Sequence, residues 1–272
     1  MKLIIEDLRF SYGSQMILNG VNIRDALPGQ VTATVGPNAA GKTTLFKCIG
    51  GLLKPEGRVL LDEKELKHFS KEQVTKHVTY LPQENPVNAV LTVFEAVLLA
   101  RKNSLSWRVS DEDLKAVADA LEDLEIPDLA LRYLNELSGG QKQMVSIAQA
   151  LVRSPQVLLM DEPTTSLDLQ HQPEVLDLIR TVTVDREITT LIALHDLNLA
   201  ARYAHRFVVM SNGTVYATGT ARAVLTPEML RDVYQIHAAV HIDGDQIPQV
   251  TPISSVRSKA SQTSVTGAYK QS

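Results

Sequence analysis

The chain contains a single cysteine, Cys48, in 272 residues. One thiol excludes an internal disulfide and any zinc site built from cysteines alone. Its place on the apolar side of a helical stretch reads as a buried structural thiol. Long hydrophobic runs are also missing: none approaches the roughly 18–20 residues that a membrane helix needs. The first residues, Met1-Lys2-Leu3-Ile4-Ile5-Glu6-Asp7, meet acid too soon for a signal peptide, so the chain is expected in the cytosol unless a partner holds it at a membrane. Basic excess is absent as well. Asp and Glu number 31 against 27 Lys and Arg, a net charge of −4, which argues against nucleic acid as a partner. The most basic local stretch, with Arg101, Lys102, Trp107 and Arg108, is short and reads as a solvated helical face. No internal repeat is evident. What remains is 44% hydrophobic and 21% charged, enough for a sizeable core in one large domain or two small ones.

Against these absences one motif stands complete. Gly36-Pro37-Asn38-Ala39-Ala40-Gly41-Lys42-Thr43 fits G-x-x-x-x-G-K-[ST] without a gap. Before it, residues 31–35 alternate apolar and polar in a β-branched run, the pattern of a strand. After it, residues 42–49 place Leu45, Phe46 and Ile49 on one helical face. Glycine lets the backbone approach a pyrophosphate closely, and successive N–H groups with the positive helix end then face the anion. Lys42 supplies charge for the β- and γ-phosphates, and Thr43 a hydroxyl for Mg²⁺. A nucleoside triphosphate is the expected ligand.

Strand-like runs at 3–5, 8–10 and 58–61 precede a helical stretch from 91 to about 134, broken at Pro127. Strands at 157–160, 189–193 and 207–210 then alternate with helices from about Glu174 and from Asp196. That alternation predicts a parallel sheet with helices on both faces, with the middle helices as an inserted subdomain. From 253 to 272 the composition turns to Ser, Thr, Gln and Lys without acid, which predicts a disordered tail.

The apolar strand at 157–160 ends in Asp161 and Glu162. An unbroken apolar strand is buried on both faces, and its C-terminal end is where open α/β sheets bind ligands. Asp161 is placed to hold Mg²⁺ through its water shell, and Glu162 to polarise an attacking water. Alone, the pair could simply cap the following helix. Beside a phosphate loop it reads as a Walker B strand. Farther upstream, Leu137-Ser138-Gly139-Gly140-Gln141 carries a capping box for a helix over 141–153 with Met144, Ile147, Ala148 and Leu151 on its apolar stripe. A capped helix start preceded by two glycines is also a site for a γ-phosphate.

With Ser138 to Gln141 lying between the two Walker elements, the chain resembles the ATP-binding cassette (ABC) ATPases, over everything but its tail. The resemblance implies an α/β fold: a P-loop NTPase (RecA-like) core with a mostly parallel sheet, an N-terminal antiparallel β subdomain, and an inserted α-helical signature subdomain at about 86–155. The ATPase domain would span 1–242. By position, Tyr12 resembles the aromatic that stacks on adenine, although a tyrosine before glycine is often only a turn residue. Gln83 resembles the glutamine that touches Mg²⁺ and the water and joins the subdomains. Ser166-Leu167-Asp168 resembles the D-loop that crosses the dimer interface. His195 resembles the switch histidine at the γ-phosphate, where a lone histidine at a strand end would otherwise be structural. Thr43-Thr44 replaces the commoner Ser-Thr, and Gln149 stands where many members carry Arg, which puts any salt bridge there in doubt.

The phosphate loop supplies no second positive group opposite the γ-phosphate, so the resemblance implies that Ser138, Gly139 and Gly140 of a second copy fill that role in a homodimer. One cassette, one cysteine and no heptad run set aside the repair, chromosome and translation relatives. An iron–sulfur assembly ATPase stays open as an alternative. Residues 195–204 and 224–234 resemble importers of iron–siderophore complexes, haem and cobalamin. The implied setting is the cytoplasmic face of the cell membrane, on permease subunits served by a periplasmic or lipid-anchored solute-binding protein. Ferric siderophore is the first expectation for the cargo, haem or cobalamin the alternative. Docking on the permease is expected to use residues 86–97 and the Gln83 loop.

Overall fold

A computed structural model describes residues 1–83, 90–102, 109–165 and 167–256. The chain opens with two long strands, β1 (Leu3–Tyr12) and β2 (Gln15–Ala26), then β3 (Gln30–Val35) and α1 (Lys42–Ile49). β4 (Glu56–Leu61), the short β5 (Lys64–Glu65), α2 (Lys71–His77) and β6 (Val78–Leu81) follow. Three helices come next: α3 (Val93–Arg101), α4 (Asp111–Glu122) and α5 (Gly139–Leu151). Strand and helix then alternate through β7 (Val157–Asp161), α6 (His171–Asp185), β8 (Thr189–Ala193), α7 (Leu197–Tyr203) and β9 (Arg206–Ser211). β10 (Thr214–Gly219), α8 (Ala221–Val224), α9 (Pro227–Tyr234), β11 (Ile236–Ile242) and β12 (Pro248–Ser255) complete it.

Two main sheets result. The larger runs in the order β10-β9-β3-β8-β7-β6, parallel except for the β9–β10 pair. The other is antiparallel, in the order β2-β1-β4-β5. Side-chain alternation explains how they stack. In the parallel sheet Leu158, Met160, Ile192, Phe207 and Val209 enter one core with the inserted helices and α6. Their neighbours Val157, Leu159, Leu191, Val208 and Met210 enter a second core with α1 and the antiparallel sheet. Both faces are therefore dry, which is why β7 reads as continuous apolar sequence. Helices lie on both faces, as expected, and on one of them α1 shares the cover with the antiparallel sheet.

The two expected strands at 3–5 and 8–10 are one strand, β1, with irregular pairing around Asp7, whose φ is 45°. A Cβ on Gly57 would stand 2.3 Å from the Asp7 carbonyl oxygen, so the bulge also needs that glycine. One correction concerns the tail: Ile253, Ser254 and Ser255 belong to β12, paired with β11 in a separate hairpin. The rest of it, 257–272, lies outside the described residues, as do 84–89, 103–108 (with Trp107 and Arg108) and Ser166.

β6 and β7 are hydrogen-bonded neighbours, yet all three inserted helices lie between them in sequence. At the N-terminal end of these strands the Gln156 N–H donates to the His77 carbonyl at 2.9 Å, and the Gln156 carbonyl accepts from the Thr189 N–H at 2.9 Å. Among the described residues no helix is long and apolar enough to cross a membrane.

Candidate nucleotide site

The C-terminal ends of β3, β8, β7 and β6 lie side by side in the sheet, and each delivers part of the motif set. β3 leads into the phosphate loop, whose shape glycine alone permits. Gly36 has φ 150°, and a Cβ there would stand 2.3 Å from the Met210 carbonyl oxygen. Gly41, at φ 102°, would press a Cβ to 2.8 Å from Leu18 Cδ2. Ala40 is buried, whereas Asn38, Ala39 and the Thr43 side chain face outward. Lys42 begins α1 and is 5% exposed. Its Nζ donates to the carbonyls of Gly36 at 2.7 Å and Pro37 at 3.1 Å. Burial lowers the Lys42 pKa, with Glu162 and Asp161 pulling the other way. An anion in the loop would give this ammonium the counter-charge that two carbonyls supply only in part.

At the end of β7, Asp161 is buried; one carboxylate oxygen accepts from the Tyr80 hydroxyl at 3.3 Å and the other, Oδ1, is buried with no hydrogen-bond partner. A buried orphan oxygen is costly unless something fills its coordination, so Asp161 suits a cation with its water. The exposed Thr43 hydroxyl is the second candidate ligand. Among the described residues no cluster of three or more His, Cys, Asp and Glu could cage a metal.

Glu162 takes φ 54°, a left-handed conformation uncommon outside glycine, with its N–H on the Ala193 carbonyl at 3.2 Å. Its carboxylate collects two other predicted residues, His195 and Gln83, together with Thr165. His195 pairs with it through Nε2. Gln83 donates to it at 2.9 Å and the Thr165 hydroxyl at 3.3 Å. Gln83 is thus bonded to the glutamate in this structure. Sequence reasoning gave no role to Tyr80 or Thr165. Tyr80 was legible only through register, since it pairs with Leu159 two positions before Asp161.

The remaining predicted residues sit apart. Ser138 caps α5, accepting from the Gln141 N–H at 3.3 Å while Gln141 accepts from the Ser138 N–H at 3.0 Å. The expected capping box is present, with α5 starting at Gly139. A Cβ on Gly140 would meet Leu167 and His171, so the signature packs beside α6. Asp168 binds the His171 ring at 2.5 Å. Tyr12 is 49% exposed and meets Phe10 edge-on. Thr44 is buried behind the loop. Gln149 donates to the Ala96 carbonyl at 3.1 Å.

A family profile described as ABC transporter matches residues 18–165. An uncharacterized ABC transporter ATP-binding protein of Methanocaldococcus jannaschii is 43% identical, over 93% of this chain and 98% of its own length. The iron(3+)-hydroxamate import ATP-binding protein of Bacillus subtilis is 38% identical, over 89% of this chain and 90% of its own. Among solved structures, a bacterial ABC transporter cassette determined as a dimer superposes with a TM-score of 0.69 at 27% identity, covering 81% of this chain and 99% of that one.

Proposed function

The chain belongs to the ABC transporter family as an ATP-hydrolysing subunit, and from that premise we propose that it powers import of an iron complex, a ferric siderophore in the first place. One observation carries the chemistry: Lys42, Asp161, Glu162, His195 and Gln83 converge at four adjacent strand ends. Fold alone would not give function, but this set of groups matches phosphoryl transfer to water.

In the proposed mechanism Lys42 exchanges its carbonyl partners for the β- and γ-phosphates. Glu162 orients and polarises the attacking water, with His195 Nε2 holding that carboxylate from one side. Gln83 and Thr165 occupy its other oxygen, so the hydrolytic arrangement requires at least one of them to let go. Magnesium, when bound, neutralises phosphate charge, and Thr43 with Asp161 would hold it. Tyr12 is exposed enough to stack on a base. Ser138, Gly139 and Gly140 of a second copy would close over the γ-phosphate, with Asp168 at the seam. A permease would dock in the groove between β6, α3 and α5, where Leu91, Leu99, Gln149 and Arg153 are found. That assembly places the chain peripherally at the cytoplasmic face, downstream of a solute-binding protein.

Glu162→Gln tests the chemistry. We expect ATP to bind and the dimer to persist while turnover falls by about 100-fold or more, read by equilibrium binding and phosphate release. Normal turnover would remove Glu162 from its role. Uptake of labelled ferric siderophore, haem and cobalamin by cells lacking the chain identifies the cargo; loss of haem or cobalamin uptake alone would replace the siderophore assignment.

A further inference from the structure

The helix behind His195 is fastened from outside the nucleotide site. Only Leu194, His195 and Asp196 separate β8 from α7. Asp196 caps α7, accepting from the N–H groups of Asn198 at 2.8 Å and Leu199 at 3.0 Å. The Asn198 side chain then reaches β12. Its Oδ1 accepts from the Val250 N–H at 2.7 Å, and its Nδ2 donates to the Val250 carbonyl at 3.2 Å. This reciprocal pair imitates the exchange between two antiparallel strands. One helical turn on, Arg202 pairs with Asp243 at 3.2 Å and Asp245 at 3.3 Å. Asp243 also organises the hairpin turn, accepting from the N–H groups of Asp245 and Ile247 and from the Gln249 amide.

The hairpin of β11 and β12 takes no part in either main sheet. Its contacts run instead to α7 and α9. Val250 is buried there, so the Asn198 pair is shielded from water in a way that the half-exposed Arg202 pairs are not. The end of α9, just before the hairpin, approaches the phosphate loop, where the buried Tyr234 hydroxyl meets the backbone of Gly36 without a hydrogen bond of ordinary geometry.

We infer that Asn198 is a positioning residue for hydrolysis: through Val250 it uses the C-terminal hairpin to fix α7, and α7 fixes His195 against Glu162. A two-bond anchor on a short helix is what a loop-borne catalytic group needs to stay in register. The inference rests on the role proposed for His195.

Turnover by the full-length chain is compared for Asn198→Ala, His195→Ala and the double variant, with ATP affinity and melting temperature measured in parallel. Asn198→Ala is expected to lower kcat about tenfold with KM within about twofold, and the double variant to be no slower than His195→Ala by more than about twofold. Asn198→Asp keeps the acceptor for the Val250 N–H and should regain part of kcat. Where Asn198→Ala melts too low to assay, Asn198→Asp is read the same way: a kcat loss that vanishes on the His195→Ala background supports the anchor. Losses that multiply, or a normal kcat in the Asn198 variants beside a slow His195→Ala, overturn the inference alone. A normal His195→Ala overturns the reading of His195 and the inference with it.

Discussion

The phosphate loop and the signature segment are built by opposite means. The loop stands on a sheet buried on both faces, with two glycines in positive φ and a lysine sunk to 5% exposure. The signature rests on one capping box at an exposed helix start, where Ser138 and Gly139 face outward. The groove beside it is lined by α6 and the 124–129 turn, with no described residue of the phosphate loop among them. The signature is a presented surface, its first N–H groups left without helical partners. One is a tightly packed backbone turn and the other an outward-facing helix start.

Gly36→Ala would break the first half of that contrast. A Cβ at 2.3 Å from a backbone oxygen cannot be relieved by a rotamer change, so we expect destabilisation on the order of 3 kcal/mol or more and loss of ATP binding, read by thermal melting and titration. Mixing two inactive chains sharpens the second half. Lys42→Ala keeps a sound signature and Ser138→Arg keeps a sound loop. Each alone should fall by about 100-fold in turnover, and the mixture should regain a substantial fraction, because one composite site per heterodimer is intact. A mixture as inactive as its parts would place both elements in one chain's own site.

The smallest expected effect concerns the exposed Asp168–His171 pair at the start of α6. Hydrogen bonding to Asp168 raises the His171 pKa above 6.5, and the bonds from His171 lower the Asp168 pKa below 3.8. A raised histidine stabilises fully below 6.5 and loses that as pH rises through its folded value; a lowered aspartate stabilises fully above 3.8 and loses that as pH falls through its own. The pair is therefore at full strength between those limits. A nuclear magnetic resonance titration of His171 should give a midpoint above 6.5 that falls back toward it in Asp168→Asn.

Legibility in the sequence followed the same division. α1 and β8 appear at the expected residues because glycine chemistry and continuous apolar runs are local signals. β12 was missed because its sequence, PQVTPISS, offers two prolines, serines and only two buried residues, Pro248 and Val250, both near its start; its pairing comes from β11 and Asn198, far away in sequence. The meeting of Gln83, Thr165 and His195 on Glu162 was likewise invisible in detail. Motif spacing places the strand ends, whereas the hydrogen bonds between them depend on which strands become neighbours.

The latch at Gln156 has a mechanical consequence. It pins β6, β7 and β8 together at one end of the sheet, while at the other end Gln83 leaves β6 on the way to the three intervening helices. The β6–β7 ladder carries that hold as far as Leu81, so Gln83 lies just past the pinned strand. Any tilt imposed on those helices from outside would be felt last at His77 and first at Gln83, whose amide rests on the Glu162 carboxylate proposed to activate water.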